Sequence, residues 1–254
     1  MQAIPRYNVL GTGISALDLV TARDAVLAAL DARHQGYVST ADLRVVNLAA
    51  EDAGFREQLN ASFLTTPDGM PLVWIGRRLG HRTVGRVYGP DLMLAVCAAT
   101  AATGRTHYFY GGAPGVAEEL RRRLQARFPG LRVAGIRSPP FRPLTAGEES
   151  DLVAEVAAAK PDLIWVALAV PARERFMTTF LPKLDTTLMV GVGAAFDLLA
   201  GRVRQAPRWI QRSGGEWLFR LCVEPRRLAP RYLRHLPLFA LRAGAQLTGL
   251  RHYP

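Results

Sequence analysis

The alternation of short β-rich runs with helix-period stretches constrains this chain most. Runs at 37–40, 62–65, 106–110, 131–136, 162–168 and 188–192 read as strands. Helix-period segments lie between and around them, at 21–34, 43–59, 90–103, 115–127, 146–159 and 172–182. Two parallel strands can be joined only by a long crossover, usually a helix, so this order predicts an α/β fold. The expectation is a Rossmann-like parallel sheet with helices on both faces. In such sheets ligands bind beyond the carboxyl ends of the strands. Thr21 with Asp24 reads as a helix start, and Pro129-Gly130 as a helix end. The run 17–20 looks like one more short strand. The pattern stops near Gly201, where Pro207, Pro225, Pro230 and Pro237 interleave with tryptophans and arginines. Residues 1–201 therefore read as the core and 202–254 as a basic helical appendage outside it.

Charge divides at the same place. The chain carries +11, nearly all of it arginine, since Lys160 and Lys183 are its only lysines. Residues 1–201 hold 21 basic and 19 acidic side chains, whereas 202–254 hold 11 arginines against Glu216 and Glu224. A GC-rich genome favours arginine but does not place the excess at one end. A segment so basic calls for an anionic partner, whether nucleic acid, membrane surface or phosphorylated substrate. An apolar content of 49% excludes a disordered chain. No apolar run approaches the roughly 18 residues of a membrane span. The first residues show no signal-type apolar region, and Cys97 and Cys222 have neither disulfide nor metal spacing, so a reduced, cytosolic protein is expected.

Several motifs could carry chemistry. Gly11-Thr12-Gly13-Ile14-Ser15-Ala16 fits the dinucleotide fingerprint, but the helical period starts too late for a helix to open inside it. A glycine turn between short strands fits better. Gly111-Gly112-Ala113-Pro114-Gly115 follows a strand and opens a helix, which suits either an anion or an ordinary βα turn. Asp68, in Pro67-Asp68-Gly69, stands at a strand's carboxyl end, as catalyst or as turn former. Asp42 reads as a ligand group or a helix cap. Glu174 reads as a site residue or a complement to a helix dipole. No Asp-x-Asp, His-Glu-x-x-His, Gly-x-Ser-x-Gly or Walker lysine occurs, and the five histidines show no ligand spacing. Neither a metal nor a cofactor is expected.

Taken in order, the motifs resemble the WecG/TagA/CpsF family of bacterial glycosyltransferases. The resemblance spans about Asn8 to Tyr232. It rests on Thr40-x-Asp42, Pro67-Asp68-Gly69, Arg86-Val87-Tyr88-Gly89-Pro90-Asp91 and Gly111-Gly112-x-Pro114-Gly115. It continues in Pro171-x-x-Glu174, Gly191 to Asp197, Ala206-Pro207, Glu216-Trp217-x-x-Arg220-Leu221, Glu224-Pro225-x-Arg227 and Arg231-Tyr232.

The resemblance implies inverting, metal-independent transfer of a sugar from a UDP-sugar to a sugar carried on polyprenyl diphosphate. The setting would be synthesis of a surface polysaccharide at the inner face of the cell membrane. It implies Asp68 as catalytic base, with Thr40 and Asp42 beside it. Gly111, Gly112, Arg173, Glu174, Gly193 and Arg86 would bind donor or acceptor. Arg220, Arg227 and Arg231 would reach the site from an appendage that docks on an anionic membrane surface. Three positions depart from the family pattern: Asp42 stands for Asn, Arg173 for Gln and Gln205 for Arg. Two of these change charge near the pocket, so a shifted donor specificity is expected. An inactive membrane-bound scaffold of the same fold is the main alternative, with a nucleic-acid binder and a dehydrogenase behind it. The sequence leaves a homo-oligomer open.

Overall fold

Six strands pair side by side, all parallel, in the order β4-β3-β8-β7-β5-β6. They are β3 (Gly36–Ala41), β4 (Leu64–Pro67), β5 (Thr106–Gly111), β6 (Arg132–Arg137), β7 (Leu163–Ala167) and β8 (Leu188–Gly191). This is the predicted Rossmann-like α/β sheet. The computed structural model describes residues 4–203, 205–207, 210 and 215–253, without the side chains of Glu216, Arg220, Arg227 and Arg231.

The two-residue period of each strand divides the core. Val38, Phe109, Trp165 and Val190 face one side, under α1 (Leu19–Asp31), α5 (Gly89–Thr100), α6 (Val116–Arg127) and α9 (Ala195–Leu199). Their neighbours Tyr37, Tyr108, Ile164 and Met189 face the other, under α7 (Ala146–Ala159) and α8 (Ala172–Phe180). Strands covered on both faces account for the unbroken apolar runs.

A third cluster lies beside the sheet. It joins a hairpin, β1 (Arg6–Val9) and β2 (Thr12–Ser15), to α2 (Leu43–Glu51), α3 (Ala53–Asn60) and α4 (Met70–Arg78). The hairpin turn has Leu10 at φ 54° and Gly11 at φ 85°. Two successive positive φ values make the tight turn that matches strand twist. The dinucleotide-like fingerprint is therefore a hairpin, and no helix opens inside it.

Three local readings are corrected. Residues 17–20 are not a strand: α1 begins at Leu19, and Asp18, not Thr21, caps it by accepting from the Thr21 N–H at 2.8 Å. Four residues are too few for periodicity to tell a strand from a helix start. The stretch 43–59 is two helices, broken where extended Asp52 caps α3 by accepting from Phe55 N at 3.0 Å. Helix α4 adds an element where the periodicity predicts none: it opens directly after the Asp68-Gly69 turn, with Pro71 in its first turn.

Beyond Gly201 come α10 (Glu216–Val223) and α11 (Pro225–Leu247), the latter with Pro230 and Pro237 inside it. The second half of α11 is tied to the core. Phe239 and Ala243 are buried in the third cluster. Asn47 Nδ2 donates to His235 O at 2.9 Å, and Arg242 pairs with Glu51 at 2.9 Å. Leu10 N donates to Gln246 Oε1 at 2.9 Å. No helix among the described residues is long and apolar enough to cross a membrane.

His107, in the middle of β5, makes stability pH-dependent. Its Nδ1 accepts from Trp165 Nε1 at 2.9 Å, so its Nε2 carries the proton and meets Thr100 Oγ1 at 2.8 Å. Burial pushes its pKa down to about 4, partly offset by Asp162. The unfolded chain takes up this proton near the ordinary histidine value, the folded chain only near pH 4. Stability is therefore expected to fall by about 3 kcal/mol between pH 6.5 and 4. Urea unfolding at several pH values checks this, and His107→Asn should flatten that part of the profile.

Candidate functional site

The carboxyl ends of β3, β4, β7 and β8 lie along one edge, with Ala41 beside Pro67, Ser39 beside Gly191 and Val166 beside Gly191. A cleft of about 430 Å³ opens there. Its walls include Thr40, Asp42, Asp68, Arg173 and Gly193 of the predicted residues. They also include Arg44, Tyr88, Phe141 and Asp197.

Asp68 directly follows β4. Its N–H donates to Ala41 O at 2.8 Å, which continues the parallel pairing past the strand end. Arg86 comes back over it: Nε donates to Asp68 O at 2.6 Å, and Nη2 stands 3.7 Å from Oδ1. The same guanidinium lies 4.2 Å over the Tyr88 ring. One arginine thus fixes both backbone and carboxylate of Asp68 while the carboxylate stays partly exposed to the cleft. Gly69 and α4 follow at once, so the aspartate stands at a rigid strand–helix junction.

Asp42 takes the helix-cap reading and stands in the cleft wall as well. Its Oδ1 accepts from Arg44 N and Val45 N, each at 2.9 Å, which caps α2, and its side chain also lines the cleft. Arg44 reaches across to Val170 O at 3.0 Å.

Arg173 forms the floor. Although charged, it is 2% exposed, and Glu174 beside it is 0% exposed. Arg173 Nη1 donates to Thr40 Oγ1 at 2.9 Å and Nη2 to Thr40 O at 2.8 Å. Nε donates to Glu174 Oε1 at 2.8 Å, and Nη2 shares that oxygen. Thr40 Oγ1 donates in turn to Gly191 O at 3.0 Å. A Cβ on Gly191 would stand 2.7 Å from Arg173 Cδ, so only glycine leaves room for this arginine. Burial, with Glu174 nearby, pushes the Tyr37 hydroxyl up to about 12.

Four predicted residues are not in the walls. Glu174 lies behind Arg173, and Arg86 behind Asp68. Gly111 and Gly112 sit in the turn after β5. Gly111, at φ 118°, has Ala167 O 2.7 Å from where a Cβ would be, so it serves close strand approach. The helix there opens at Val116 with Gly115 as its cap, and Pro114 stands outside it. The side chains of Arg220, Arg227 and Arg231, like residue Arg204 beside Gln205, lie outside the described residues. Among the described residues no three His, Cys, Asp or Glu side chains group as a metal site.

Sequence reasoning passed over Arg44, Tyr88, Phe141 and Asp197. Tyr88 and Asp197 lie inside quoted motifs and could have been found there. Phe141, 92% exposed, sits in the aperiodic stretch Ser138-Pro139-Pro140-Phe141-Arg142-Pro143, which gives no signal.

A Rossmann-like sheet with a cleft at its carboxyl edge is the ligand-binding architecture of α/β proteins, and here a carboxylate and a buried arginine line it. The model of the glycosyl transferase WecG/TagA/CpsF family matches residues 7–253, and the chain belongs to that family. It is a glycosyltransferase. It is 27% identical over 198 residues to the N-acetylglucosaminyldiphosphoundecaprenol N-acetyl-beta-D-mannosaminyltransferase of Bacillus spizizenii, covering 78% of this chain and 75% of the relative. It is 26% identical over 213 residues to the enzyme of the same description from Bacillus subtilis, covering 84% and 80%.

Proposed function

We propose that this protein transfers a sugar, of N-acetylhexosamine type, from a UDP-sugar to a sugar carried on polyprenyl diphosphate. The step inverts the anomeric centre and needs no metal. The observation that carries this reading is the Asp68 carboxylate, held by Arg86 in the wall of the cleft. The acceptor hydroxyl oxygen attacks the anomeric carbon as the bond to UDP breaks, and its proton passes to Asp68. The departing diphosphate gains negative charge. Guanidinium groups can stabilise it by paired, charge-assisted hydrogen bonds. Arg44 is in the cleft wall, and Arg220, Arg227 and Arg231 would add to it from the appendage.

The polyprenyl acceptor is supported by the relatives, which by name act on N-acetylglucosaminyldiphosphoundecaprenol. It explains the lopsided charge, since each arginine near an anionic leaflet contributes about 1 kcal/mol. Exposed Leu233, Leu241 and Leu250 supply apolar contacts for an appendage docked at the inner membrane face.

Asp42 and Arg173 together set donor choice, because both line the cleft and both differ in charge from the family pattern. The test is a panel of UDP-sugars with a short-chain prenyl-diphosphate N-acetylglucosamine, read as acceptor-dependent UDP release. A UDP-N-acetylhexosamine should react fastest, and Asp42→Asn, which can keep the cap of α2, should change the ranking. If no UDP-sugar gives acceptor-dependent release, the reading is wrong.

A further inference from the structure

Helix α4 leaves Asp68 and carries an unusual outer face. Its inner face is fixed: Leu72, Val73 and Ile75 are buried, Tyr7 Oη donates to Leu72 O at 3.0 Å, and a Cβ on Gly76 would stand 2.7 Å from the Tyr7 ring. Trp74, Arg77 and Arg78, at i, i+3 and i+4, share the opposite face. Trp74 is 54% exposed, and Leu79, at the helix end, is 45% exposed. Residues 70–88 hold Arg77, Arg78, Arg82 and Arg86 and no acidic side chain. Arg77 donates to Val84 O, whereas Arg78 and Arg82 are exposed and form no ion pair among the described residues. Elsewhere on the core, Arg23, Arg105, Arg122, Arg137 and Arg142 lie against carboxylates, whereas exposed Arg33 and Arg121 also form no ion pair among the described residues, so it is the indole beside the cations that sets the α4 face apart.

We infer that this face is a second membrane contact, separate from the appendage, and that its partner is an anionic leaflet. An exposed indole beside unneutralised guanidiniums is the chemistry of the bilayer interface: the ring enters the headgroup layer while the cations meet lipid phosphates. The nine residues of α4 span about 14 Å. Docking this face would therefore hold Asp68 within a short helix of the headgroups, where a lipid diphosphate lies. The inference rests on the lipid-acceptor reading for its purpose but not for its measurement.

The test uses the full chain with vesicles of phosphatidylcholine containing about 30% phosphatidylglycerol, which supplies a negative surface potential, in a sedimentation assay. The variants are Trp74→Ser/Arg78→Gln/Arg82→Gln and Arg78→Glu/Arg82→Glu, each checked for unchanged melting. Both should need at least about tenfold more lipid for half-binding, from the loss of two or more interfacial contacts. Transfer to a short-chain, water-soluble acceptor without vesicles should be unchanged. Binding within about twofold of the parent, or parent binding to pure phosphatidylcholine as strong as to the anionic mixture, overturns the inference, given the expected electrostatic share. Absence of transfer in every protein overturns the acceptor reading instead and leaves the sedimentation result to be judged alone.

Discussion

Asp68→Asn is expected to lower turnover by about 10²- to 10⁴-fold, the usual range for loss of a general base. The substitution keeps the shape of the side chain and the bond from Asp68 N to Ala41 O. Arg86 still reaches the Asp68 carbonyl, so the strand–helix junction should persist. What disappears, on the proposed mechanism, is the group that takes the acceptor proton. The donor KM should stay within about threefold, because an interaction made in the transition state has been removed and not one made on binding. Melting temperature should be unchanged. Acceptor-dependent UDP release measures the first and saturation with donor the second. A variant within tenfold of the parent would mean that another group is the base.

The largest stability effect is expected at Arg173. Removing one partner of a buried ion pair leaves the other uncompensated, at about 3–5 kcal/mol. Here Arg173→Met would strand the Glu174 carboxylate, whose Oε2 already has no hydrogen-bond partner among the described residues. It would also remove both donors to Thr40. Replacing both charges, as Arg173→Met with Glu174→Leu, should restore most of the loss, since a well-packed apolar pair often equals a buried salt bridge. Urea unfolding of the two single variants and the double variant measures the coupling. A cost below about 1 kcal/mol for Arg173→Met would show that the pair is solvated and not buried.

These two residues also mark how far the sequence could be read. The sheet was legible because parallel strands buried on both faces, such as Leu163–Ala167, produce short apolar runs, and these alternate with helix-period segments. The position of Asp68 was legible because Pro67-Asp68-Gly69 closes the β-rich run that begins at Ser62. Arg173 was legible only as a departure from a pattern. That its guanidinium spans Thr40 and Glu174 depends on Gly191 leaving room, which is a contact between residues 18 apart in sequence. Phe141 reaches the cleft from an aperiodic loop, and no local rule places it. The start of α1 was misread because the side-chain cap at Asp18 outweighs the strand-like look of Leu17 to Val20.

The proposed division of labour between one carboxylate and several guanidiniums is tested most directly by the product itself. The full chain is incubated in excess chelator with an α-linked UDP-N-acetylhexosamine and a short-chain prenyl-diphosphate N-acetylglucosamine, and the anomeric linkage is read by NMR. A β-linked disaccharide on the lipid is expected, formed at the rate seen without chelator. An α-linked product, or transfer that stops when divalent ions are removed, would contradict the proposed mechanism.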